Sequence, residues 1–185
     1  MTGKVSSRFL LTIACAVLVA QWVLLIQAQD LAARKPTFKL QALDGRVTDL
    51  AEQKGNVVLV SFGATWCEPC STELRALSEV ASEYKDKPVK FFWVSVEAPE
   101  QVTNSALKRY AKRNKLGFPV LRDSSQAVFL QFSTRVRLPM TVLLNKDGEV
   151  HGPAHFGMQS PPDAYKSDIR ARLNKLLSTE TVAAK

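Results

Sequence analysis

Hydrophobic positions fall along the chain in three kinds of pattern, and their order predicts the fold. Residues 9–26 are an unbroken apolar run of eighteen residues, with Gln21 its one strongly polar member. Residues 38–43 alternate, and Asp44-Gly45 turns the chain into residues 46–48, the signature of a β-hairpin. Past Gly55-Asn56, residues 57–62 form a continuous run of buried-strand type. A helix follows at once over residues 67–84, with Leu74, Leu77, Val80, Ala81 and Tyr84 at helical spacing. Lys87-Pro88 breaks it before a second buried strand, residues 89–96, which carries Phe91, Phe92 and Trp93.

In the second half, Pro99 opens a helix to Lys115, with Val102, Ala106, Leu107, Tyr110 and Ala111 along one side. A short strand from Pro119, a short helix over residues 125–132 and a strand over 141–144 come next. Asn145-Lys146-Asp147-Gly148 reads as a hairpin turn into residues 149–151, and Pro161-Pro162 opens a last helix to about Leu177. Strands alternate with helices first, and a hairpin plus a helix close the chain. That order predicts an α/β fold with a central mixed β-sheet, helices on both faces and an N-terminal β-hairpin extension. The domains read as an anchor or signal segment at 1–27, a linker at 28–35, a globular domain at 36–178 and a flexible tail at 179–185.

The apolar run at 9–26 follows Lys4 and Arg8, and a positive start before an apolar stretch marks export. Signal-peptide cores run about 7–15 residues, whereas a bilayer span needs about 17 or more. Cleavage after Ala28 would put Ile26 where a small residue is needed. An uncleaved membrane anchor is therefore expected, ahead of a cleaved leader. Under either reading the domain lies outside the cytosol.

Charge changes this picture little. The chain carries a net +8, and without Lys4 and Arg8 the remaining 23 basic residues still outnumber 17 acidic ones. Lys108, Arg109, Lys112, Arg113 and Lys115 gather on one predicted helix, but only Tyr110 interleaves with them as a stacking aromatic. A solvated face is expected there rather than a nucleic-acid site.

Cysteine usage changes it more. Of three cysteines, Cys15 lies in the apolar run, which leaves Cys67 and Cys70 as the domain's one pair. A disulfide closing so short a loop gains little from loop entropy, so the pair reads as functional. Structural zinc needs about four ligands and one CxxC supplies two, so no metal is expected. Directly after a buried strand and at the start of a helix, Cys67 meets unsatisfied backbone N–H groups that favour its thiolate. Cys67 is thus the expected nucleophile, and Cys70, one turn on, can resolve a mixed disulfide. Pro69 stiffens the first turn, and Trp66 is expected to shield the apolar side of the sulfur pair.

These residues together resemble the thioredoxin superfamily, and within it the extracytoplasmic TlpA/ResA-like thiol-disulfide oxidoreductases. The resemblance covers residues 36–177 and rests on Pro36-x-Phe38 with Asp44-Gly45, Trp66-Cys67-Glu68-Pro69-Cys70, Glu73, and Leu138-Pro139-Met140-Thr141 before Asp147-Gly148. It implies a cis peptide before Pro139 beside the cysteines, Leu138 offering backbone groups to an extended substrate, and Glu73 assisting proton transfer. Ser61 stands where cytosolic thioredoxins carry a buried aspartate, and Gly63 where many relatives carry an aromatic residue. The function implied is reduction of partner-protein disulfides through a redox-active Cys67–Cys70 disulfide, without any other cofactor. The setting implied is the bacterial inner membrane with the domain facing the periplasm. A membrane electron donor would recharge the pair, and cytochrome c maturation or metal-centre assembly are candidate pathways.

Two other readings stand beside it. His151 and His155, with the two thiols, would suit a copper-handling redox chaperone, although Gly152-Pro153 interrupts their spacing. A peroxiredoxin-type peroxidase would need Thr three residues before its cysteine; Ala64 is there, and Thr65 is one residue too close.

Overall fold

The computed structural model describes residues 35–158 and 161–178. The apolar run at 9–26 and the tail at 179–185 lie outside them. Among the described residues no helix is long and apolar enough to cross a membrane.

Strands β1 (Lys39–Ala42) and β2 (Val47–Asp49) form the expected hairpin, turned by Gly45 at φ 90°, a conformation glycine adopts without strain. β3 (Val57–Gly63) runs into α1 (Glu68–Glu83), and β4 (Val89–Ser95) into α2 (Asn104–Arg113). β5 (Val120–Arg122), β6 (Met140–Leu144), β7 (His155–Phe156) and α3 (Pro162–Ser178) complete the order. The seven strands make one sheet, β2-β1-β5-β4-β3-β6-β7. β3, β4 and β5 run parallel, while β1 and β6 join them antiparallel, so the sheet is mixed as the pattern predicts.

All seven residues of β3 are buried, because both faces of the central strand are covered. Val58, Val60 and Phe62 point to one face and meet Phe38, Leu50, Phe92, Val94, Phe129, Met140 and Val142. Val57 and Leu59 point to the other and meet Leu77 and Val80 of α1 and Ile169 and Leu173 of α3. On that same face Trp93 packs with Leu107 and Tyr110 of α2. Among the described residues all three α-helices therefore cover one face, rather than being shared between two. The second face is closed by the hairpin and by two single 3₁₀ turns, Leu50–Gln53 and Phe129–Gln131.

Three elements differ in extent from the sequence pattern, each for a local reason. α2 begins at Asn104 and not at Pro99, because Thr103 is extended and its hydroxyl accepts from the Ala106 N–H. It ends at Arg113, where the Asn114 amide turns back to the Tyr110 carbonyl and Lys115 adopts φ 56°. The helix expected over residues 125–132 is reduced to Phe129–Gln131, since the Asp123 carboxylate takes the Val128 and Phe129 N–H groups. The turn at Asn145–Gly148 forms, yet only Val150 bridges back to Leu144. Gly152 at φ 70° and Pro153, which has no N–H, stop pairing there, and β7 resumes it at His155.

Candidate active site

Cys67 is the N-cap residue of α1, in an extended conformation, and no side chain caps the helix there. Pro69 stands in the first turn, where its missing N–H has no partner to lose. The free N–H groups and helix dipole at this end favour a negative sulfur. Cys67 and Cys70 are joined by a disulfide with their Cα atoms 5.3 Å apart. The two are unequally accessible: Cys67 is 5% exposed and Cys70 is fully buried. An incoming group therefore meets Cys67 first.

The sequence brings Leu138 and Pro139 to this sulfur pair from the far end of the domain. Their peptide is cis, and Leu138 packs against Ala64, Cys67 and Cys70. Trp66 does not take the shielding place expected of it. It is 68% exposed, and Ala64 with Leu138 form the apolar wall instead.

Glu73, one turn after Cys70, is buried rather than solvated. Its carboxylate accepts hydrogen bonds from Ser61 Oγ at 2.7 Å, Thr141 Oγ1 at 2.7 Å and Tyr165 OH at 2.8 Å. β3, β6 and α3 each supply one donor, so three elements converge on one side chain. Burial pushes the Glu73 carboxyl above its ordinary value, and the three donors only partly oppose it. Burial and the neighbouring Glu73 charge push the Tyr165 hydroxyl well above its own ordinary value. Glu73 is thus a fully buried carboxyl held by three hydroxyl groups, one turn along the helix from Cys70.

Glu97 is a second buried acid, and nothing in the sequence pattern marked it. Its carboxylate accepts from the Thr65 N–H at 2.8 Å, from Thr65 Oγ1 at 2.7 Å and from Ser95 Oγ at 3.1 Å. It thus fixes the loop that delivers Cys67. The Thr65 hydroxyl is committed to Glu97, which takes it away from the role a peroxidatic site would give it. The signal available in the sequence was an acid one residue past a buried strand that ends beside the helix start.

His151 and His155 do not assemble a metal centre with the cysteines. Among the described residues there is no group of three or more His, Cys, Asp or Glu side chains that could hold an ion. His155 instead stacks edge-on against Tyr165, with ring centroids 5.2 Å apart. Lys108, Arg109, Lys112, Arg113 and Lys115 are all exposed, as a solvated face requires.

Comparison with known proteins agrees with this geometry. The profile of the AhpC/TSA family matches residues 31–152. The thiol-disulfide oxidoreductase ResA of Bacillus thuringiensis subsp. konkukian is 31% identical over 124 residues, which cover 67% of this chain and 69% of that protein. Among solved structures, a thiol:disulfide interchange protein DsbE (so described, as putative) from Chlorobium tepidum superimposes with a TM-score of 0.68 at 24% identity. That match covers 80% of this chain and 97% of the other. A thioredoxin, also described as putative, from Neisseria meningitidis gives a TM-score of 0.62 at 27% identity over 77% of this chain and 92% of its own.

Proposed function

The chain belongs to the AhpC/TSA family and is a thiol-disulfide oxidoreductase of thioredoxin-like fold, and from that premise we propose that it reduces disulfides of partner proteins outside the cytosol. The Cys67 thiolate attacks one sulfur of a partner disulfide, forming a mixed disulfide and releasing the partner's other sulfur as a thiolate that takes up a proton. Cys70 then gives its proton to Glu73 and attacks Cys67 Sγ. The Cys67–Cys70 disulfide forms, and the partner leaves with both its sulfurs reduced. Trp66, exposed beside Cys67, and the Leu138 backbone next to Pro139 receive the partner chain.

The observation that carries this reading is the asymmetry of the pair: one sulfur at a helix N-terminus near the surface, the other fully buried one turn from a buried carboxyl. A buried thiol beside such a carboxyl is costly to ionise, which favours the disulfide and makes the dithiol an electron donor. The basic start and the long apolar run at 9–26 support a site at the outer face of a bacterial inner membrane, with that run as anchor. Thiols in that compartment are oxidised unless recharged, so a membrane electron donor belongs to the cycle. Cytochrome c maturation or metal-centre assembly would supply the partner.

Replacing Cys70 with Ala tests this reading. The variant should accumulate partners covalently held on Cys67 and released by a reducing agent. Cells expressing it that yield no Cys67-linked protein would rule the exchange mechanism out.

A further inference from the structure

We propose that the Trp93 indole N–H is the hydrogen-bond donor held ready for the Cys70 thiolate when the disulfide opens, an inference that rests on the exchange reading above. Trp93 is fully buried in β4, and its Nε1 has no hydrogen-bond partner among the described residues. An orphaned buried donor is rare, because it forfeits a hydrogen bond to water without replacement. The indole is held in place by Tyr110, stacked on it at 5.2 Å between centroids, so the N–H does not swing away to find a partner.

Gly63 shows what that nitrogen lies against. A Cβ at Gly63 would lie 2.7 Å from Trp93 Nε1 and 3.3 Å from Cys70 Sγ. Donor and sulfur thus both border the space that a methyl group at Gly63 would occupy. The absence of a side chain at Gly63 leaves room that the polar edge of the Trp93 indole occupies, close to the Cys70 sulfur. In the disulfide Cys70 is a poor acceptor; as a thiolate it is a strong one. On its own helix the titratable groups nearest in sequence are Cys67, bonded to it, and Glu73, one turn on, with Tyr165 of α3 bonded to Glu73 and Tyr110 of α2 stacked on Trp93. Trp93 brings a buried, unpartnered donor from β4. In the resolving step Cys70 passes its proton to Glu73, and the N–H holds the thiolate until its electron pair attacks Cys67 Sγ. The Cys67–partner bond breaks, and the partner sulfur leaves as a thiolate.

Reduced full-length protein mixed with an aromatic disulfide that releases a coloured thiolate separates the two steps. The first equivalent reports attack by Cys67, and the second reports attack by Cys70. In Trp93→Phe the first release should be unchanged and the second slowed about tenfold, the worth of one hydrogen bond to a charged group. In the unsubstituted protein the Trp93 indole N–H resonance should move on reduction, with a pH dependence that follows the Cys70 Cβ resonance. That comparison stands even if the variant does not fold. An unchanged second release in a folded Trp93→Phe, or an indole resonance identical in both redox states, would overturn the assignment. A wild-type protein lacking the second release altogether would overturn the exchange reading and the assignment with it, and is told apart by that loss.

Discussion

Glu73 concentrates the chemistry that single residues contribute. Its acidity is set by burial, opposed by three hydroxyl donors, and the balance leaves it above an ordinary carboxyl. As pH rises, the unfolded chain releases this proton first. Between the ordinary value and the raised folded value the unfolded state therefore binds fewer protons, and stability falls with rising pH. Below that window the contribution is fully present. Glu73→Gln should flatten this fall in a urea-denaturation series across mildly acidic to mildly alkaline pH, whereas an unchanged slope would place the titration elsewhere. The same variant should slow the resolving step by about 10²-fold, the lower end of what general acid–base groups contribute, while leaving attack by Cys67 unaffected. Glu97 acts on structure rather than on protons. Glu97→Ala strands the Thr65 N–H, and should destabilise the fold by about 1–3 kcal/mol in chemical denaturation. Both acids are invisible as a pair in the sequence. Glu73 could be found through its spacing from Cys70, but Glu97 only through its contact with Thr65, which lies 32 positions away along the chain.

At the scale of elements, what was legible follows from how local each cause is. β3 and α1 were readable because a continuous apolar run and a helical stripe meet at the Trp66–Cys70 stretch. The start of α2 was misread because Pro99 is a permissible helix opener, while the cap that decides the matter is the Thr103 hydroxyl. Thr103→Ala should cost about 1 kcal/mol of stability by urea denaturation, with disulfide exchange unaltered. Pro99→Ala should leave stability nearly unchanged, since Pro99 lies outside the helix. β7 escaped detection for a different reason: it is two residues long and is placed by pairing of Thr141 with His155 and Met140 with Phe156, not by any pattern of its own. The gathering of the described α-helices on one face was likewise beyond reach. It depends on β5 lying beside β4 in parallel, so that both crossovers pass on the same side.

For the whole molecule, the sheet brings residues from widely separated stretches to one dry site. Ser61 and Gly63 come from β3, Trp93 from β4, Thr141 from β6 and Tyr165 from α3. α3 is held to α1 by paired charges, Arg170 with Glu83 and Lys166 with Glu79, which are partly exposed and add modestly to stability. The larger hold is apolar: Ile169 and Leu173 are buried against Leu77 and Val80, and they carry Tyr165 to Glu73. On the proposed reading, Cys70, fully buried and one turn from a buried carboxyl, is costly to ionise, with the Trp93 N–H a single offsetting donor, and the oxidised pair is the more stable state. The direction of electron flow follows from that balance, and the reduction potential of the Cys67–Cys70 pair measures it directly. Equilibration of the full-length protein with glutathione and with dithiothreitol buffers should give a value near that of thioredoxin, about −270 mV, and Glu73→Gln should raise it. A potential near that of a strong oxidant such as DsbA, about −120 mV, would contradict the proposal that this protein is a disulfide reductase.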